Sequence, residues 1–150
     1  MADNDKVIDV LEKLIETCKD GQNGFRDAAE HAKDSSIKKL FSELSLERAQ
    51  FAGELQTELH RLGKRDVEQS GSVSAALHRT WIDLKANLGG GDSSILSSAE
   101  AGEDNAKKNY QEAEEADLPG DIRTIVTRQA QSVFAAHDRV RALRDQSKAA

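Results

Sequence analysis

The segment GKRDVEQSGSVSAALHRTWIDLKANLGGGD, residues 63–92, decides which helical fold this chain adopts. An ordinary connection between antiparallel helices needs about 2–8 residues, and this segment is far longer. It contains a short amphipathic stretch of its own, which ends at a run of three glycines. We therefore predict that the segment crosses the length of the molecule and starts the next helix at the opposite end. The apolar positions of this stretch are Val73, Leu77, Trp81, Leu84 and Leu88.

On both sides of this link, apolar residues recur at the spacing of α-helices, and the alternation typical of strands is almost absent. The predicted helices cover about residues 5–33, 34–63, 93–116 and 119–145. The chain is thus predicted to be a single all-α domain over residues 1–150, in which two helical hairpins are joined by a long crossover with a short extra helix. A four-helix bundle connected in this way has the ferritin-like arrangement.

The composition excludes several classes of protein. Cys18 is the only cysteine, so an intramolecular disulfide and zinc sites built from several thiolates are excluded. The chain has 21 Lys and Arg against 27 Asp and Glu, and its basic residues are spread along its length, which disfavours nucleic acid as a partner. The longest apolar run, Val133–Ala136, is far shorter than the about 20 residues of a membrane span. With an acidic N-terminus, we expect a cytoplasmic protein and no membrane partner.

Two short stretches resemble the metal-binding halves of a rubrerythrin-like di-iron bundle. AGE at residues 101–103, followed by Tyr110 and by His137 on the next helix, is similar to the second half of such a protein. ERAQ at residues 47–50 stands where the first half carries Glu-x-x-His. This resemblance implies a bundle derived from a di-iron protein.

The chain as a whole resembles an uncharacterised bacterial family of ferritin-like four-helix bundles, catalogued as a domain of unknown function. The resemblance covers nearly all of the chain and implies the same fold, but the family brings no established activity. The phrases that carry it are IETCKDG at 15–21, ERAQF at 47–51, GSV at 71–73 with His78 and Trp81, and HDRV at 137–140.

A complete di-iron site needs a glutamate from each of two helices and a Glu-x-x-His from each of the other two. On the first helix, Cys18 takes the inward position, whereas Glu16 and His31 are predicted on the far side. On the second helix, Gln50 replaces the histidine and points outward. On the fourth, Phe134 stands where a glutamate is needed. The di-iron ligand set is therefore incomplete.

Three candidate metal ligands remain: Glu47, Glu103 and His137. They suffice for one loosely held ion, iron or zinc, with Cys18 in reach as a further ligand. The alternative is structural. Glu47 and Glu103 then pair with Arg or Lys on a neighbouring helix, His137 is a hydrogen-bonded boundary residue, and Cys18 is a small hydrophobic side chain.

The incomplete ligand set favours a non-enzymatic ferritin-like bundle that acts through protein association or stress-related binding, with a degenerate di-iron site and no cofactor. The alternative is a metal-dependent oxidase or peroxidase, or a metal-binding protein, that uses the incomplete Glu/His site. No catalytic residues are indicated, and whether the protein has a small-molecule substrate is left open. We expect a homodimer, because bundles of this size commonly pair along their long faces, with Trp81 and the crossover helix as the contact.

Overall fold

The computed structural model describes residues 4–64 and 74–149, with side chains described at 4–64 and 80–147. The described residues form five α-helices and one short 3-10 turn at Leu88–Gly90, and no strand, so the prediction of an all-α chain is confirmed. The motif at 71–73, Val73 and the side chains of Leu77 and His78 lie outside the described residues. The helices are α1 (Asn4–His31), α2 (Ser35–Arg61), α3 (Ser74–Ala86), α4 (Asp92–Glu115) and α5 (Gly120–Ala149).

Local signals in the sequence account for the helix ends. The Asp34 side chain accepts hydrogen bonds from the backbone N–H groups of Ser36 and Ile37, which caps the start of α2. At the other end of α2, Gly63 has a φ of 90°, a left-handed conformation that glycine adopts without strain. Pro119 lies one residue before α5, and its carbonyl accepts from the backbone N–H of Arg123.

The four long helices pack as two antiparallel hairpins, α1 with α2 and α4 with α5. Helix α4 runs antiparallel to α1, because Lys13 pairs with Glu112 while Thr17 and Cys18 contact residues earlier in α4. The carboxylate of Asp92, at the start of α4, accepts from the backbone N–H groups of the α1–α2 turn. The link after α2 therefore returns the chain to the end of the molecule where α1 turns into α2.

The buried apolar residues form two clusters along the helix axes. One contains Leu14 of α1 and Leu55 of α2, and the other contains Phe25 of α1 and Phe41 of α2. Between the two clusters, α2 contributes Arg48 and α4 contributes Glu103, both with no exposed surface. A charged layer thus separates two apolar halves of one core. None of the described helices has the length and apolar character needed to cross a bilayer.

Helix α3 is anchored to the other helices by Trp81, which is only 7% exposed. Its ring lies edge-on to Phe25, with centroids 5.2 Å apart. It also lies against two glycines, since a Cβ added at Gly24 or Gly102 would come within 2.1 Å or 2.6 Å of the indole. Trp81 therefore fills the space between α1 and α4 and is not available as the contact for a second copy that the sequence analysis assigned to it. Among the side chains of this helix that the structure describes, Ile82 is the exposed large hydrophobic one.

Candidate functional site

The centre of the molecule is an ion pair between α2 and α4. Arg48 donates through Nη2 to Oε2 of Glu103 at 2.6 Å, and both side chains are fully buried. The Arg48 guanidinium also lies over the Phe25 ring, 5.2 Å from its centroid. Gly21 of α1 makes room for it, because a Cβ there would lie 3.0 Å from Nη1 of Arg48. Three helices thus enclose one permanent positive charge.

The electrostatics of this pair are set by two opposing effects. Burial disfavours the charged guanidinium, but the attraction and hydrogen bond of Glu103 outweigh it and raise the pKa of Arg48 above its usual range. Among the described residues, Nε and Nη1 of Arg48 and Oε1 of Glu103 have no hydrogen-bond partner. Glu103 therefore compensates the charge of Arg48, while part of the hydrogen-bonding capacity of both groups stays unused.

A chain of hydrogen bonds runs beside the ion pair. The Tyr110 hydroxyl donates to Oε1 of Gln129 at 2.8 Å, so the Cys18 thiol, 3.1 Å from the same hydroxyl, acts as the donor to it. Gln129 in turn donates to Oε1 of Glu54 at 3.0 Å. Burial raises the pKa of Cys18 to about 11, although the nearby charge of Arg48 opposes the shift. This raised pKa favours the neutral thiol of Cys18, which is a poor nucleophile.

The predicted ligands occupy different surroundings. Glu103 forms an ion pair with an arginine of a neighbouring helix, the arrangement expected as the alternative to metal binding. Glu47 is half-buried, and burial raises its pKa, with Arg48 acting in the opposite direction. Gln50 is exposed. His137 is 3% exposed, and its ion-pair partners are other carboxylates, on α4 and α5.

Helix α1 has more buried carboxylate groups than the spacing of its apolar residues predicts. The carboxylate oxygens of Glu16 are covered by the surrounding structure, although the sequence analysis placed this residue on the far side. Glu12, one turn earlier, is 6% exposed. His31 is exposed, as predicted. Carboxylate side chains that border the apolar stripe of α1 are thus covered by the surrounding structure. The spacing of residues within α1 alone does not predict this burial.

Arg48 is the central residue that the sequence analysis missed. A signal for it exists, because Leu44, Arg48, Phe51 and Leu55 follow the four-three-four spacing of one buried helical face. Arginine at such a position is ordinarily taken as an exposed interruption of the stripe. Only a buried carboxylate on a facing helix makes the inward orientation stable, and Glu103 supplies it.

A cluster of ionisable groups also joins α4 to α5. Nε2 of His137 lies 2.5 Å from Oδ1 of Asp104 and 3.8 Å from Oε1 of Glu100. One ligand atom from each of these three residues lies within 4.8 Å of the other two. In the part of the chain that the structure describes, this is the group of His, Cys, Asp and Glu residues that converges closely enough for a metal ion.

A protein-family model matches most of the chain. The model of a family described as "Domain of unknown function (DUF2383)" matches residues 6–116. The matched region contains nearly all of α1, then α2, α3 and α4, and so includes Cys18, Arg48, Trp81 and Glu103. A search of the curated proteins finds no match.

Proposed function

The chain belongs to the family described as a domain of unknown function (DUF2383), and from that premise we propose that it is a non-enzymatic, ferritin-like four-helix bundle that acts through protein association or stress-related binding. The arrangement of the helices supports the ferritin-like part of the proposal. Helices α1 and α2 form one antiparallel hairpin, and α4 and α5 form the other. A long connection returns the chain to the α1–α2 turn before α4 begins, which is the connectivity of ferritin-like bundles.

The single observation that carries the non-enzymatic part is the buried Arg48–Glu103 pair. Di-iron bundles hold their cations with inward-pointing carboxylates at the centre of the four helices. Here the chain itself supplies a cation there, because a guanidinium stays protonated at every physiological pH. Its charge repels a metal ion, and its hydrogen bond occupies one oxygen of the carboxylate that would bind the metal.

The other ligand positions support the same conclusion. Cys18 stands in place of the first carboxylate and is held as a neutral thiol by burial. Gln50 is exposed and uncharged. Gln129 of α5 donates to α2 and accepts from Tyr110, so this amide has a structural role in the core. The alternative of a metal-dependent oxidase or peroxidase built on Glu47, Glu103 and His137 would require all of these groups to reorganise around an ion.

We expect the protein to retain no iron at its centre. Protein purified without chelators, loaded anaerobically with Fe²⁺ and then exposed to air should show no visible oxo-bridged band. The reason is the fixed positive charge of Arg48. The comparison variant is Glu47→Gln, which removes a half-buried carboxylate and leaves the Arg48–Glu103 pair in place. A content of about two irons per chain that falls in Glu47→Gln would contradict the proposal and favour the enzyme.

Association is the activity that remains for such a bundle, and α3 offers a specific contact. Among the described residues, Ile82 of α3 and Leu46 of α2 are the exposed large hydrophobic side chains, at 56% and 68% exposure. Trp81 holds α3 firmly against α1 and α4, so Ile82 is presented on a rigid support. Among the described residues, α3 contacts α1 and α4 but not α2, so Leu46 lies on a different face of the molecule from Ile82.

We expect Ile82→Glu to convert a homodimer into a monomer of 16.4 kDa, as measured by light scattering at micromolar concentration. A buried charge without a partner destabilises an interface strongly, whereas the same charge on a monomer surface is tolerated. Leu46→Glu is the matched control and should leave the mass unchanged. A monomer already in the unmodified protein would contradict dimerisation, and dissociation by both variants would contradict the assignment of the contact to α3.

A further inference from the structure

We propose that Glu100, Asp104 and His137 form a binding site for one divalent cation of the zinc class, separate from the closed centre of the bundle. Glu100 and Asp104 lie one helical turn apart on α4 and therefore share a face. His137 of α5 meets both of them. Glu103, which belongs to the central ion pair, precedes Asp104 in sequence but is fully buried, whereas the Asp104 side chain is 58% exposed.

The distances suit a small ion after a modest movement of one exposed side chain. Zinc binds histidine nitrogen and carboxylate oxygen at about 2.0–2.2 Å, which places two ligands of a tetrahedral site about 3.3–3.6 Å apart. Nε2 of His137 lies 3.8 Å from Glu100 and 2.5 Å from Asp104. Asp104 must therefore withdraw by about 1 Å, and its exposure allows this. Water completes the coordination from the solvent side.

Both ring nitrogens of His137 face carboxylates. Nδ1 lies 3.1 Å from Oδ1 of Asp138 on one side, and Nε2 lies 2.5 Å from Oδ1 of Asp104 on the other. In the tautomer that carries its proton on Nδ1, this nitrogen donates to Asp138 and the lone pair of Nε2 points at Asp104, where a metal ion can bind to both. A histidine that donates to a carboxylate through its remote nitrogen is also the usual arrangement of a metal ligand.

The local charge favours a cation at this point. The ion pairs around His137 bring together four carboxylates, those of Glu100, Asp104, Asp138 and Asp145, with a single guanidinium, that of Arg144. Arg144 donates to Oε2 of Glu100 at 2.8 Å, which leaves Oε1 to face His137. A divalent ion bound here neutralises two of the excess negative charges.

Zinc alone is the probe for this site. We expect equilibrium dialysis followed by elemental analysis to give one Zn²⁺ per chain, and calorimetric titration to give the same stoichiometry. Asp104→Asn should abolish this binding without loss of helix, because its side chain is largely exposed. Asp138→Asn, which changes only the support of His137, should weaken binding by about 10–100-fold. Glu115→Gln, an exposed carboxylate on the same helix, is the matched control and should bind as the unmodified protein does.

A second readout is needed for the variant at the buried histidine. His137 is buried, so His137→Gln tests the site only if its circular dichroism matches the unmodified protein. In the unmodified protein, Zn²⁺ should shift the NMR resonance of the His137 ring nitrogen Nε2 and leave the exposed ring of His31 unchanged. Absence of one-to-one zinc binding would overturn the proposal. Zinc binding that persists in Asp104→Asn would overturn it as well.

Discussion

Arg48→Met should lower the free energy of unfolding by about 3–5 kcal/mol, because it leaves the buried charge of Glu103 without its partner. Both members of the pair have no exposed surface, so water cannot replace the lost interaction. Methionine fills a similar length of space beside Phe25 and Gly21, which limits the loss of packing. Urea denaturation followed by circular dichroism at 222 nm measures the change.

The double variant Arg48→Met/Glu103→Leu separates two contributions to the free energy of unfolding: the destabilisation by an unpaired buried charge and the net stabilisation by the ion pair. Replacing a whole buried ion pair by apolar side chains is often neutral or stabilising by about 1–4 kcal/mol. We therefore expect the double variant to be more stable than either Arg48→Met or Glu103→Leu. Arg128→Met is the surface control, since its pair with Glu54 is exposed and should be worth at most about 1 kcal/mol. Additive losses in the double variant would refute this account.

Trp81→Ala should destabilise the protein by about 3–5 kcal/mol, the cost of removing a large aromatic from a packed core. The indole is almost completely buried and touches the backbone of α1 and α4 through Gly24 and Gly102. Its loss leaves a cavity that two rigid helices cannot close. Chemical denaturation measures the change, and an effect below about 1 kcal/mol would show that α3 is a surface attachment instead of part of the core.

The glycines under Trp81 provide the control for this prediction. Gly24→Ala should destabilise the protein by about 1–3 kcal/mol, since its Cβ would lie 2.1 Å from Cε3 of the indole. In the Trp81→Ala background the same change should become stabilising by up to about 1 kcal/mol, because alanine favours the helix and the obstacle is gone. Gly53→Ala, which has nothing within 4 Å of its Cβ, should stabilise both backgrounds. Equal effects of Gly24→Ala in both backgrounds would contradict the direct contact.

The sequence by itself determined the helices, their order and the long return of the chain. Helix ends follow from local chemistry, such as the Asp34 cap and the glycine at position 63, and these signals act within a few residues. The length of the link between α2 and α4 excludes a tight hairpin whatever the rest of the chain does. The inward position of Cys18 was likewise predicted from the spacing of one helix, because helical periodicity sets which side chains share a face.

Only the tertiary structure decided which polar side chains meet. The partner of Glu103 is Arg48 and the partners of His137 are Glu100 and Asp104, and neither pairing follows from the pattern of any single helix. The insertion of Trp81 between Gly24 and Gly102 is of the same kind. Periodicity specifies a face only to within part of a turn, whereas a contact depends on the rotation and the axial shift of two helices. Those are set jointly by all the packed side chains, so the ion pair at the centre becomes visible only once the helices are assembled.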